Sequence, residues 1–187
     1  LGGAGFPAYI KYSKPDGIEA VIINAVECEP YITADYKMVM DHTKDLITGA
    51  LIMKKMAMCN TVYICIKESH PDLIQVVKNA VVSGDGIEVK AVPDVYPMGW
   101  ERVLVREVLH KEYDRLPAQA GAIVSNATTA IAMANAFEKG QAIVSKMVTV
   151  SGEGIKKPQN VYVPVGMPAK EIVEACHGYT SESVRLI

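Results

Sequence analysis

No two of the four cysteines are spaced as Cys-x-x-Cys; they stand at 28, 59, 65 and 176. That spacing argues against a zinc ribbon or an iron–sulfur cluster built from this chain alone. Irregular spacings in a chain of 187 residues also argue against a disulfide framework, and point to a reducing, cytoplasmic-type setting. Long apolar runs are missing too. The best candidate for a membrane span, residues 46–58, is interrupted by Lys54 and Lys55. Lys and Arg form no stripe: 19 basic residues face 21 acidic ones, for a net charge of -2. A general nucleic-acid binder needs a stronger positive field than that. The four histidines, at 42, 70, 110 and 177, are scattered and never stand as HExxH, which gives little support to a metal centre or a nucleophilic triad.

What is present is a core-forming composition. Half of the residues are hydrophobic, enough for one substantial domain or a domain plus a small appendage. Such a composition also excludes a disordered chain. The chain starts at Leu1 inside a glycine-rich stretch, and the reading is a piece of a longer protein.

Apolar runs and turn signals then alternate. Residues 19–25 read as a buried strand, followed by an irregular acidic segment over 27–35. One long helix is expected from Tyr36 to Met58, because Val39, Leu46, Ala50, Met53 and Ala57 share a face. Strands follow at 61–66 and 87–92, with a helix opened by Pro71 between them. A helix over 101–110, a strand over 121–125 and a helix beginning at Thr128 or Thr129 complete this part. Strand–helix alternation predicts an α/β fold, a parallel sheet with helices on its faces. Texture changes near residue 141. Two strands over 142–150 and 160–165 and a helix over 168–176 predict a second, small α+β unit.

Four segments are candidates for chemistry. Gly2-Gly3-Ala4-Gly5-Phe6-Pro7 allows close backbone approach to a phosphate or a flat ring, but is equally a tight turn before a helix. Asn24 to Pro30, Tyr96 to Glu101 and Ser125 to Thr129 each follow a strand. Singly, each is explained as a solvated loop, a core or interface tryptophan, or a helix cap. Together they converge on the carboxyl edge of one sheet, where α/β proteins hold nucleotide-like ligands.

In this order, GGAGFP, NAVECEPYITAD, YPMGWE and SNATTA resemble the flavin-binding domain of the C subunit of the Rnf electron-transport complex. That family is similar to the flavin-bearing NADH dehydrogenase subunit of respiratory complex I. The wording YPMGWE most resembles the proline reductase-associated electron transfer proteins. The resemblance covers essentially the whole chain. It implies a Rossmann-like domain over 1–140 for FMN and NADH, then the start of a soluble-ligand-binding β-grasp (SLBB) domain over 141–187. Family members carry their 4Fe-4S ligands further on, outside this chain. By motif, Gly2, Gly3, Ala4, Gly5 and Phe6 would line the flavin or dinucleotide, and Lys11 would reach its ribityl chain or phosphate. Asn24, Glu27, Glu29 and Asp35 would lie near the ring and the nicotinamide. Tyr96, Gly99 and Glu101 would border the ring, with Asn126 and Thr129 on the phosphate side. Val26 and Trp100 depart from the complex I pattern, which has acids there.

The function this implies is hydride exchange between NAD(H) and FMN, with electrons passed to iron–sulfur centres of partner subunits, and no side chain acting as nucleophile. The expected setting is cytoplasmic, peripheral on the membrane's inner face through partners if at all. Two alternatives stand beside it: a flavin-free docking scaffold for electron carriers, and a corrinoid reductase of the same family.

Overall fold

The computed structural model describes residues 6–181. Four strands, β1 (Ala20–Asn24), β2 (Thr61–Lys67), β3 (Ile87–Val92) and β4 (Ala122–Asn126), form one parallel sheet in the order β3-β2-β1-β4. Alternate side chains leave opposite faces of a strand. Val21 and Ile23 therefore join Val62, Ile64, Ile66 and Ile123 in one core. Ile22 joins Cys65, Val92, Ala122 and Val124 in another. Both faces are covered, which is why β1, β2 and β4 read as apolar runs rather than alternating ones.

Helices α3 (Thr43–Met56), α4 (Pro71–Ala80) and α6 (Ala127–Lys139) cover the first face through Leu46, Ala50, Met53, Leu73, Val77, Ala130 and Ile131. Helix α5 (Glu101–Leu109) covers the second through Leu104 and Val105, beside a 3-10 turn over Pro117–Ala120. A short α1 (Ala8–Lys11) precedes β1, and α2 (Ala34–Asp41) leads into α3. The expected parallel sheet with helices on both faces is present.

The single helix expected over 36–58 is two helices. The chain breaks at His42, with φ -123° and ψ 34°, between α2 and α3. Thr43 Oγ1 bonds back to Val39 O at 2.7 Å, a local bond that competes with helix geometry. Val39 and Leu46 stay buried on either side of the break, so the apolar phase runs through it and hides it.

Beyond α6, β5 (Ser145–Val150) pairs antiparallel with β6 (Gln159–Pro164), and α7 (Ala169–Ala175) follows. Val150, Ile155, Val173 and Cys176 form their shared core. Strand β5 begins at Ser145, so residues 142–144 are not the strand they were expected to open. Among the described residues, no helix is long and apolar enough to cross a membrane.

Candidate functional site

The sheet reverses its order at β1. The next strand, β2, lies on one side of it, and β4 lies on the other. Crevices outside such a switch point hold ligands in open α/β sheets. The last residues of the two diverging strands, Asn24 and Asn126, stand in register there.

Both asparagines are bonded into the local backbone. Asn24 Oδ1 accepts from Val26 N at 2.9 Å, and its Nδ2 donates to Gly99 O at 2.8 Å. This ties the end of β1 to the loop before α5. The two segments approach so closely that a Cβ on Gly99 would lie 2.6 Å from Val26 O and 2.9 Å from Cys28 Sγ. Glycine is required there by space. Asn126 caps α6: its Oδ1 accepts from Thr128 N at 2.9 Å and Thr128 Oγ1 at 2.5 Å. Its Nδ2 donates to Asp35 Oδ2 at 2.6 Å.

Glu27 has a second capping role. Its Oε1 accepts from Asp35 N at 3.1 Å and its Oε2 from Tyr36 N at 3.3 Å. Those amides belong to the first turn of α2, where a carboxylate is favoured by the helix dipole. Thr33, the N-cap residue, makes no capping bond of its own.

Burial raises the pKa of Glu27, opposed by the amides of Asp35, Tyr36 and Ala34 and assisted by the charge of Asp35. Burial likewise raises that of Asp35, opposed by the Asn126 bond and the Lys146 charge. A carboxyl whose folded pKa exceeds its unfolded one binds more protons when folded. Its contribution to stability is therefore complete below the unfolded value and is lost as pH rises through the folded value. Thermal melts across the acid range are expected to show this component, and Asp35→Asn should remove the Asp35 share of it. An unchanged pH dependence in Asp35→Asn would contradict the assignment.

These groups open on a cleft of about 1220 Å³. Of the residues singled out by motif, Asn24, Glu27, Glu29, Asp35, Gly99 and Asn126 line it. Met38 and Ile131 add apolar wall, and Trp100 borders it. The far wall was not legible in the sequence: residues 141–149 and Tyr162, together with His42 at the helix break. Those positions carry no motif, and only the packing of the small unit beside α2 and α6 brings them in.

Phe6, Lys11, Tyr96, Glu101 and Thr129 do not line this cleft. Lys11 Nζ donates to Val124 O at 2.6 Å and lies 3.5 Å from Glu101 Oε2, so these two candidates meet each other. Tyr96 is exposed and stands edge-on to Trp100, ring centroids 6.2 Å apart. Phe6 is exposed, and Thr129 is partly buried on the first turn of α6. Gly2, Gly3, Ala4 and Gly5 lie outside the described residues.

A crevice at the switch point of a parallel sheet, with polar strand ends and a helix N-terminus facing it, defines a ligand-binding α/β domain of the open-sheet class. The chain belongs to the family of the Nuo51 FMN-binding domain, whose model matches residues 1–135; that of the SLBB domain matches residues 147–186. Among curated proteins it is 33% identical over 191 residues to the C subunit of the proton-translocating ferredoxin:NAD(+) oxidoreductase complex of Clostridium ljungdahlii, covering 100% of this chain and 42% of that protein. It is 34% identical over 193 residues to the C subunit of the ion-translocating oxidoreductase complex of Rhodobacter capsulatus, covering 100% of this chain and 37% of that one. The chain thus spans about two-fifths of the length of these relatives, which are subunits of oxidoreductase complexes. In three dimensions it is similar to a chain of an NAD+-reducing [NiFe]-hydrogenase in the air-oxidized state. The TM-score is 0.83 at 20% identity, over 93% of this chain and 36% of that one. At that identity the likeness is one of fold.

Proposed function

We propose that this chain is the flavin-bearing part of an electron-transfer subunit, holding FMN in the cleft and exchanging hydride with NAD(H). Electrons would pass to iron–sulfur centres outside these residues, in the rest of the protein or in partner subunits, on the cytoplasmic side. The observation that carries the reading is the cleft at the switch point, bordered by in-register Asn24 and Asn126, in a chain of the FMN-binding family.

The residues present fit the cofactor. Small-molecule sites usually occupy roughly 300–1,000 Å³, so a cleft of about 1220 Å³ leaves room for a flavin and part of a second ligand. Asn126, Asp35 and Glu27 offer one polar wall, and Met38, Ile131 and Val148 offer apolar surface for a ring. When bound, FMN supplies both hydride and single-electron chemistry. The work of this chain is placement. Glu27 and Asp35, with raised pKa values, can hold or release a proton beside the ligand. The N-terminus of α6 supplies a positive dipole end toward the same space. We further propose that Gly2, Gly3, Ala4, Gly5, Phe6 and Lys11 contact the cofactor, with Tyr96, Glu101 and Thr129 as outer contacts. The unit over 141–187 is proposed to act as a separate domain that closes the cleft.

An FMN titration followed by flavin fluorescence and by melting temperature tests this. Saturation at one FMN per chain is expected, with about 2.7 kcal/mol of added stability when free FMN is 100 times Kd. Absence of binding would sink the reading and favour a flavin-free docking scaffold.

A further inference from the structure

The segment between Glu27 and α2 is held from the small unit. Tyr31 sits in the left-handed region at φ 64°, which is unusual for a bulky residue. Its carbonyl accepts from Ser151 Oγ at 2.8 Å. Two residues on, Thr33 N donates to Thr149 Oγ1 at 3.0 Å. Asn160 Nδ2 donates to Thr33 Oγ1 at 3.0 Å, and Thr33 Oγ1 reaches Asn160 Oδ1 at 3.2 Å. Thr149 Oγ1 donates to Asn160 Oδ1 at 2.7 Å, which fixes the amide.

This arrangement explains an anomaly at α2. Thr33 is a favoured N-cap residue type at the N-cap position, and a capping threonine would bond the amides two or three residues on. Those are Asp35 N and Tyr36 N, and Glu27 holds both. The Thr33 hydroxyl is engaged by Asn160 instead.

We infer that Asn160, from the small unit, is a positioning residue for the cleft: by holding the Thr33 hydroxyl it leaves the N-terminus of α2 to Glu27 and so fixes the Glu27 carboxylate. Without Asn160, the Thr33 hydroxyl competes for the same two amides. Glu27 is then released into the cleft, where Cys28, Glu29, Asp35, His42, Lys146 and Tyr162 are the other titratable groups along the wall. The second unit thereby sets the geometry of a carboxylate that belongs to the sheet domain. This inference rests on the flavin reading only for its affinity readout.

The test compares Asn160→Ala, Thr33→Val, the double variant and Ser151→Ala. Each is followed by carboxyl-resolved NMR titration of Glu27 and by FMN titration. Asn160→Ala is expected to shift the Glu27 titration and weaken FMN binding roughly fivefold, the scale of one hydrogen bond. Adding Thr33→Val removes the competitor and should return both quantities toward wild type. Ser151→Ala, which loses a different bond to the same loop, should leave the Glu27 titration in place. The inference is overturned if Asn160→Ala leaves Glu27 unchanged. It is equally overturned if Thr33→Val fails to restore Glu27, as a purely structural loosening would predict. Should wild-type protein bind no FMN, the flavin reading fails alone, and the Glu27 titrations still decide the role of Asn160.

Discussion

Replacing Gly49 by alanine is expected to cost about 3 kcal/mol of unfolding free energy, at the upper end of ordinary overpacking. Gly49 lies in α3 where that helix crosses α6. A Cβ there would lie 1.9 Å from Ala130 O and 2.5 Å from Ala130 C. Both are backbone atoms, so no rotamer change can make room. Alanine would gain up to about 1 kcal/mol of helix propensity over glycine. The clash outweighs that gain, because relief requires α3 and α6 to separate along the main core of the sheet's first face. Urea unfolding measures the outcome as a lowered midpoint with unchanged slope. A variant as stable as wild type would show that the two helices approach less closely than this. The consequence reaches the cleft, since α6, capped by Asn126, carries Thr128 and Ile131 into its wall.

The strand–helix alternation was legible because burial on both faces writes β1, β2 and β4 as uninterrupted apolar runs. Pro71 marked a helix start by ordinary chemistry, whereas α6, expected from Thr128 or Thr129, starts at Ala127 with Asn126 as its cap. The break at His42 was hidden for an equally physical reason. Seven residues separate Val39 from Leu46, close to two helical turns, so both stay in phase whether or not the helix continues. The only local hint was Thr43, whose hydroxyl can bond back to a preceding carbonyl. In the site, the polar ends of β1 and β4 could be placed at one sheet edge from order alone. Their partners could not. That Lys11 meets Glu101, or that Glu27 rather than Thr33 caps α2, depends on contacts 90 residues apart in one case and on a competing unit in the other. The wall over 141–149 was not legible because only the packing of the small unit brings those residues to the cleft.

Asn126→Ala is expected to lower stability by about 2–3 kcal/mol at neutral pH, combining a lost helix cap with a lost bond to a charged partner. The Asn126 side chain does two things at once. Its oxygen satisfies Thr128 N at the start of α6, and its nitrogen donates to Asp35 Oδ2. Removing it leaves a half-buried carboxylate short of a donor, and the Lys146 charge is then the main influence favouring ionisation. The folded pKa of Asp35 must rise further, because the lost bond was one of the influences lowering it. The deficit should therefore depend on pH. It is largest where Asp35 is ionised and shrinks as pH falls through the Asp35 titration, since a protonated carboxyl no longer needs the donor. Asn126→Ser separates the two roles: serine can still cap α6 but reaches Asp35 less well. It should recover the pH-independent part of the loss and keep the pH-dependent part. Urea unfolding of wild type and both variants between acid and neutral pH checks this. A deficit constant with pH would mean that capping alone accounts for Asn126, and that the Asp35 contact contributes nothing measurable.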